Sequence, residues 1–94
     1  MMSVHNLKED DQRNILVRLK RIEGQVRGIQ QMVEEGRDCL EISDQIAAVR
    51  AAANALNIEI LEAFALKCVR RPEAFASPED AVEHAIQAIT RRNR

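Results

Sequence analysis

The chain has 94 residues, a formal net charge of −1 and 46% hydrophobic residues. That length makes one small domain, residues 1–94. Near-neutrality excludes a polycation that grips nucleic acid through bulk charge, so any such surface must be local. Gly 3, Pro 2 and no Trp or Tyr, against abundant Ala, Leu, Ile, Glu, Arg and Gln, describe an all-α chain without strand patterns, repeats or low-complexity segments.

So short a chain buries a thin core alone, which favours assembly with further copies. No apolar run approaches a membrane span, and the start "MMSVHNLKEDD" lacks a signal-peptide core. A cytoplasmic protein with no membrane partner is expected.

Residues 1–9 read as a flexible N-terminal arm. Asp10 or Asp11 can cap the first helix. Ile15, Leu19, Ile22, Val26, Ile29 and Val33 then recur at alternating steps of four and three. That heptad-like stripe packs along a nearly parallel or antiparallel neighbour. Gly36 ends the helix in the left-handed position after it.

The second helix restarts at once. Asp38 followed by Glu41 reads as a capping box. The stripe Ile42, Ile46, Val49, Ala53, Leu56, Ile60 runs on to Phe64 with no breaker until Pro72. The spacing predicts about thirty residues, roughly 45 Å of helix. Ser77 caps a third helix, with Pro78 at its first position and acids in its first turn. Val82, Ala85, Ile86 and Ile89 form its apolar face, and His84 falls on the polar one. Residues 90–94 form a basic tail.

Cys39 opens the long helix and Cys68 nearly closes it. The two lie roughly 43 Å apart along the axis, whereas a disulfide needs Cα atoms within about 7 Å. They share a face, because 29 positions are almost a whole number of turns. In an antiparallel pair of such helices, Cys39 of one protomer lies beside Cys68 of the other, at two symmetric sites. The other reading makes both thiols small buried hydrophobes. Phe64 sits one turn before Cys68 on the same face and has no lone pair for a metal. Arg13, Lys20 and Arg27 repeat every seven residues on the first helix, flanked by Arg18 and Arg21. Arg50 stands among small residues mid-way along the second. These cations form either a local phosphate-binding face or an ordinary solvated one. No helix-turn-helix, zinc-finger or RNA-recognition signature is present. Nor is there a nucleotide loop, a pair of catalytic acids or a Cys-x-x-Cys, so an enzyme is not expected.

The run "RLKRIEGQVRGIQQMVEEGRDCLEISDQIAAVRAAANAL", with a later cysteine in "KCV", resembles the CsoR/RcnR/FrmR family of bacterial repressors. The resemblance extends from about Arg13 to Val69. It implies three helices per protomer, an antiparallel four-helix-bundle dimer and a dimer-of-dimers tetramer, with operator DNA bound in the inducer-free state. By motif match it carries DNA contact over to Arg18, Lys20, Arg21 and Arg50. Arg13 and Arg27 rest on the charge stripe alone. Copper sensors of this family resemble the chain at Cys39 and Cys68 but have histidine where Phe64 stands, and often tyrosine where Asp38 stands. Two thiols without that histidine resemble the CsoR-like sulfurtransferase repressors, which answer persulfides and polysulfides.

That resemblance implies inter-protomer sensing through Cys39 and Cys68, with Phe64 lining the pocket and no cofactor. The helix dipole and Arg37 favour negative charge at Cys39, while Asp38 and Glu41 oppose it. The alternatives are a Cu(I)-responsive repressor using Cys39 and Cys68, or a metal or sulfur carrier that does not bind DNA.

Overall fold

The computed structural model describes residues 3–92, which form an elongated body of 56 × 26 × 16 Å. Three helices build it: α1 (Glu9–Glu34), α2 (Cys39–Arg70) and α3 (Pro78–Arg92). Short 3-10 turns at Val4–Asn6 and Pro72–Ala74 precede α1 and α3. The described residues contain no strand. Helix α2 is the axis, and both α1 and α3 pack against it.

The turns follow from particular residues. Gly36 adopts φ +69°, the left-handed geometry that a side chain disfavours, and lets α1 fold back toward α2. Asp38 caps α2 by accepting from the Leu40 and Glu41 amides, at 3.1 and 3.2 Å. Glu41 does not complete the expected box; its carboxylate is drawn 2.8 Å from Arg37 instead. Ser77 caps α3 through the Asp80 amide at 3.0 Å, as its sequence predicts.

The start of the chain departs from expectation. Lys8, not Asp10 or Asp11, occupies the position before α1, and the three acids Glu9, Asp10 and Asp11 fill its first turn. Within the segment read as a flexible arm, Val4–Asn6 forms a 3-10 turn. Ser3 and Asn6 form a reciprocal capping box, and the Gln12 side chain donates to the Leu7 carbonyl at 2.8 Å. Leu7 is thereby drawn into the core with Ile15 and Leu56. Burying such a side chain contributes about 1.5–3 kcal/mol. Residues 90–92 of the expected basic tail are the last turn of α3, where Arg92 lies 2.9 Å from Glu62. Residues 1, 2, 93 and 94 of these terminal segments lie outside the described residues.

Burial within the protomer splits each stripe. On α1, Ile15 is buried and Ile22 and Ile29 half-buried, while Leu19, Val26 and Val33 face outward. On α3 the face against α2 is Ala81, His84, Ala85 and Ala88, and Val82, Ile86 and Ile89 of the expected apolar face point away. Alanines win the inner face because they let α3 approach α2 closely. Only seven described residues form a buried apolar core, and thirteen large apolar side chains are exposed. A single protomer therefore leaves much apolar surface unburied.

Candidate functional site

Cys39 is the first residue of α2 and is exposed. The cation expected to act on it is committed elsewhere: Arg37 lies 2.8 Å from Glu41 and 3.7 Å from Glu35. Cys68 is only 3% exposed. The same face of α2 is covered near Cys68 because α3 lies there, and is open at Cys39 because α3 is too short to reach it. Burial pushes the Cys68 thiol upward in pKa; its backbone hydrogen bond opposes this, and the Asp80 carboxylate on α3 adds to the rise. The two sulfurs thus stand at opposite ends of one helix, one accessible and one occluded, and do not meet within a protomer.

Phe64 is half-buried between α2 and α3. His84 meets it edge-on, with ring centroids 6.0 Å apart and planes at 63°. Phe75 also packs on the imidazole, with ring centroids 5.2 Å apart. His84 is therefore not the solvent-exposed polar residue its sequence position predicts. Its Nδ1 lies 2.8 Å from the Asp80 carbonyl; a carbonyl only accepts, so Nδ1 carries the proton. The i,i+3 and i,i+7 spacing of Ala81, His84 and Ala88 was the available signal, masked by the larger Val and Ile side chains. His5 lies in the N-terminal 3-10 turn, exposed. Among the described residues of one protomer, no group of three or more His, Cys, Asp or Glu side chains is arranged to hold a metal ion.

The basic candidates divide into three kinds. Lys20, Arg21 and Arg50 are exposed and have no ion-pair partner among the described residues. Arg13 and Arg27 pair within α1, with Asp10 at 3.5 Å and Glu23 at 2.8 Å, all largely exposed. Such surface pairs are weak and yield readily to a phosphate. Arg18 differs, since its Nε lies 2.7 Å from Glu59 Oε2 across the α1–α2 hairpin.

Residues 11–91 match the family described as metal-sensitive transcriptional repressor. The chain belongs to that family. It is 45% identical over 82 residues to the copper-sensing transcriptional repressor CsoR of Bacillus subtilis, spanning 87% of this chain and 79% of that protein. The copper-sensing repressor CsoR with Cu(I) from Geobacillus thermodenitrificans has a similar structure, with TM-score 0.74 and 36% identity over 100% of this chain and 95% of that one. The nickel-responsive regulator InrS also gives TM-score 0.74, at 33% identity over 96% and 99% of the two chains. Relatives on one fold thus answer different metals, so the inducer of this family member must be argued from its own site.

Proposed function

We propose that this repressor binds operator DNA as a homo-oligomer and releases it when a persulfide or polysulfide bridges Cys39 to Cys68 of a partner protomer. The observation that carries this reading is Phe64, a side chain without a lone pair, one helical turn before Cys68 on α2 and edge-on to His84. Two thiols survive at that site, and the nearest ring of α2 cannot complete a three-ligand metal centre.

The asymmetry of the thiols gives an order to the chemistry. Exposed Cys39 attacks the sulfane sulfur of a small persulfide, RSSH; its S–S bond breaks, RSH leaves and Cys39 holds a persulfide. Cys68 of the partner protomer then attacks the Cys39 sulfur, its proton passes to the departing sulfide, and a disulfide and hydrogen sulfide result. Attack on a longer chain retains extra sulfur and spans a wider gap. Cys68 is occluded beneath α3, so bridging requires that end of the protomer to open. The bridged protein is then held in a different shape, and a shape with lower DNA affinity releases the operator.

Lys20, Arg21 and Arg50 are the phosphate contacts in this reading, with Arg18, and with Arg13 and Arg27 once freed from their carboxylates. The exposed outer stripes of α1, α2 and α3 bury against further copies in an antiparallel four-helix-bundle dimer and a dimer-of-dimers tetramer.

The copper-sensing relatives favour a second reading, in which Cu(I) bridges the thiolates of Cys39 and Cys68. Operator release separates the two. Persulfide should release DNA from the wild-type protein and not from Cys39→Ala or Cys68→Ala, and stoichiometric Cu(I) should leave the complex bound. Release by Cu(I) with no response to persulfide selects the copper reading.

A further inference from the structure

We propose that Glu59 is a positioning residue for Arg18, and that it ties the DNA face on α1 to the helix that carries the sulfur site. The inference rests on the reading of Arg18 as a phosphate contact.

Three observations single out this pair. First, it is the one basic candidate on α1 whose charge partner lies on another helix; Arg13 and Arg27 pair with neighbours one turn away on α1 itself. Second, Glu59 is the more covered partner, its side chain 28% exposed against 47% for Arg18. Third, Glu59 Oε2 is buried and receives no directed hydrogen bond, although Arg18 Nε stands 2.7 Å away. The contact is one of charge on charge. A buried carboxylate oxygen with so little hydrogen bonding needs a reason to be there, and holding Arg18 supplies one.

Nε is the guanidinium atom nearest the carboxylate, and the two terminal amino groups stay available for a phosphate. A free arginine side chain has many rotamers, and binding must select one of them. A carboxylate that fixes the guanidinium beforehand removes that ordering cost. Bulk electrostatics makes the opposite statement: deleting a carboxylate beside a phosphate-binding cation should tighten DNA binding. The two effects have opposite signs, so experiment can separate them.

The location of Glu59 adds a consequence. It lies on α2, the same continuous helix as Phe64 and Cys68. Any shift of α2 against α1 therefore moves the Glu59 carboxylate relative to Arg18, so the pair links the DNA face to the helix that carries the sulfur site.

The test uses the full chain with a fluorescent operator duplex, titrated by anisotropy at several salt concentrations. The variants are Glu59→Ala, Glu59→Gln, Arg18→Ala and the Arg18→Ala/Glu59→Ala double. Glu59→Ala should weaken binding by up to about tenfold, the cost of ordering one long side chain on binding. Its salt slope should stay that of wild type, because the number of phosphates engaged is the same. Arg18→Ala should lower that slope by about one. The double variant should bind no worse than Arg18→Ala alone, and Glu59→Gln should fall between wild type and Glu59→Ala. Polysulfide treatment should change operator affinity less in Glu59→Ala than in wild type.

Glu59→Ala or Glu59→Gln binding as tightly as wild type, or tighter, while Arg18→Ala weakens, overturns the positioning role. Additive losses in the double variant overturn it too. If Arg18→Ala leaves affinity unchanged, the phosphate reading of Arg18 fails and takes this inference with it. Should Glu59→Ala melt before it can be titrated, the near-isosteric Glu59→Gln gives the sign.

Discussion

Replacing Phe64 with histidine tests what separates a sulfur-reading site from a metal-reading one. The substitution exchanges one ring for another, so the cavity it leaves is small. The edge-on contact with His84 at 6.0 Å is altered, and such a contact contributes about 0.5–1.5 kcal/mol. The new imidazole sits half-buried with an unpaired nitrogen, a cost of about 1–3 kcal/mol. The variant should therefore lose about 1.5–4.5 kcal/mol per protomer and still fold in its oligomer. Against this stands the gain in metal binding. Loss of an outer partner that merely orients a ligating histidine costs about 10–100-fold in affinity. A whole nitrogen ligand added to two thiolates should therefore raise Cu(I) affinity by about 100-fold or more.

His84 bears on that magnitude. Its ring stands edge-on to position 64, with Nδ1 held by the Asp80 carbonyl, so it is placed to orient a histidine introduced at 64. Competition against a Cu(I) chelator, run on both proteins, measures the affinity change, and anisotropy with operator DNA measures release. Removing His84 as well should reverse part of the gain. If wild type already binds Cu(I) as tightly as the variant and releases DNA with it, Phe64 does not discriminate, and the copper reading displaces the persulfide one.

Other outcomes follow from the same structure. Arg50→Ala and Arg21→Ala should each weaken operator binding and reduce the salt slope by about one, with the oligomer intact by size-exclusion chromatography; unchanged affinity in both moves the DNA face elsewhere. The thirteen exposed large apolar side chains are expected to be covered in an even-numbered assembly at micromolar concentration, and a folded monomer by light scattering contradicts the inter-protomer site. Cys68 contributes a pH dependence of known sign. Its folded pKa is raised by burial, so above about pH 8.5, the ordinary thiol range, the unfolded chain has lost a proton that the folded chain keeps, and stability falls as pH rises. Thermal melts from pH 7 to 10 should show that loss in wild type and a flatter profile in Cys68→Ala; equal slopes would mean that the buried thiol does not carry it.

The helix count, the long α2, the Gly36 turn and the Ser77 cap were legible because each rests on local chemistry: period, breaker and cap. What the sequence hid was decided by packing. Leu7 looks like part of a polar arm until Gln12 folds back on its carbonyl and carries it into the core. Val82, Ile86 and Ile89 outrank alanine in hydrophobicity, yet Ala81 and Ala88 take the buried face because close approach of α3 to α2 is worth more than side-chain size. Leu19, Val26 and Val33 of α1 and Val82, Ile86 and Ile89 of α3 stay exposed in one protomer. The cysteines were found from spacing, but their inequality was not, since it depends on α3 covering one end of α2 alone. Arg18 was legible as a cation and illegible as the partner of Glu59, because sequence spacing does not show which residues face each other across a hairpin.

The central claim is a covalent one, so the most direct measurement is the mass of its product. The wild-type protein is treated with a low-molecular-weight persulfide, quenched, separated without reductant and analysed by intact mass and by peptide mapping. The account predicts covalently joined protomers whose only crosslink joins the Cys39 peptide to the Cys68 peptide, at the mass of a disulfide or with one or more added sulfur atoms. It should appear in step with operator release and reverse with reductant. Full operator release with Cys68 still a free thiol, or crosslinks only between two Cys39 residues, would contradict it.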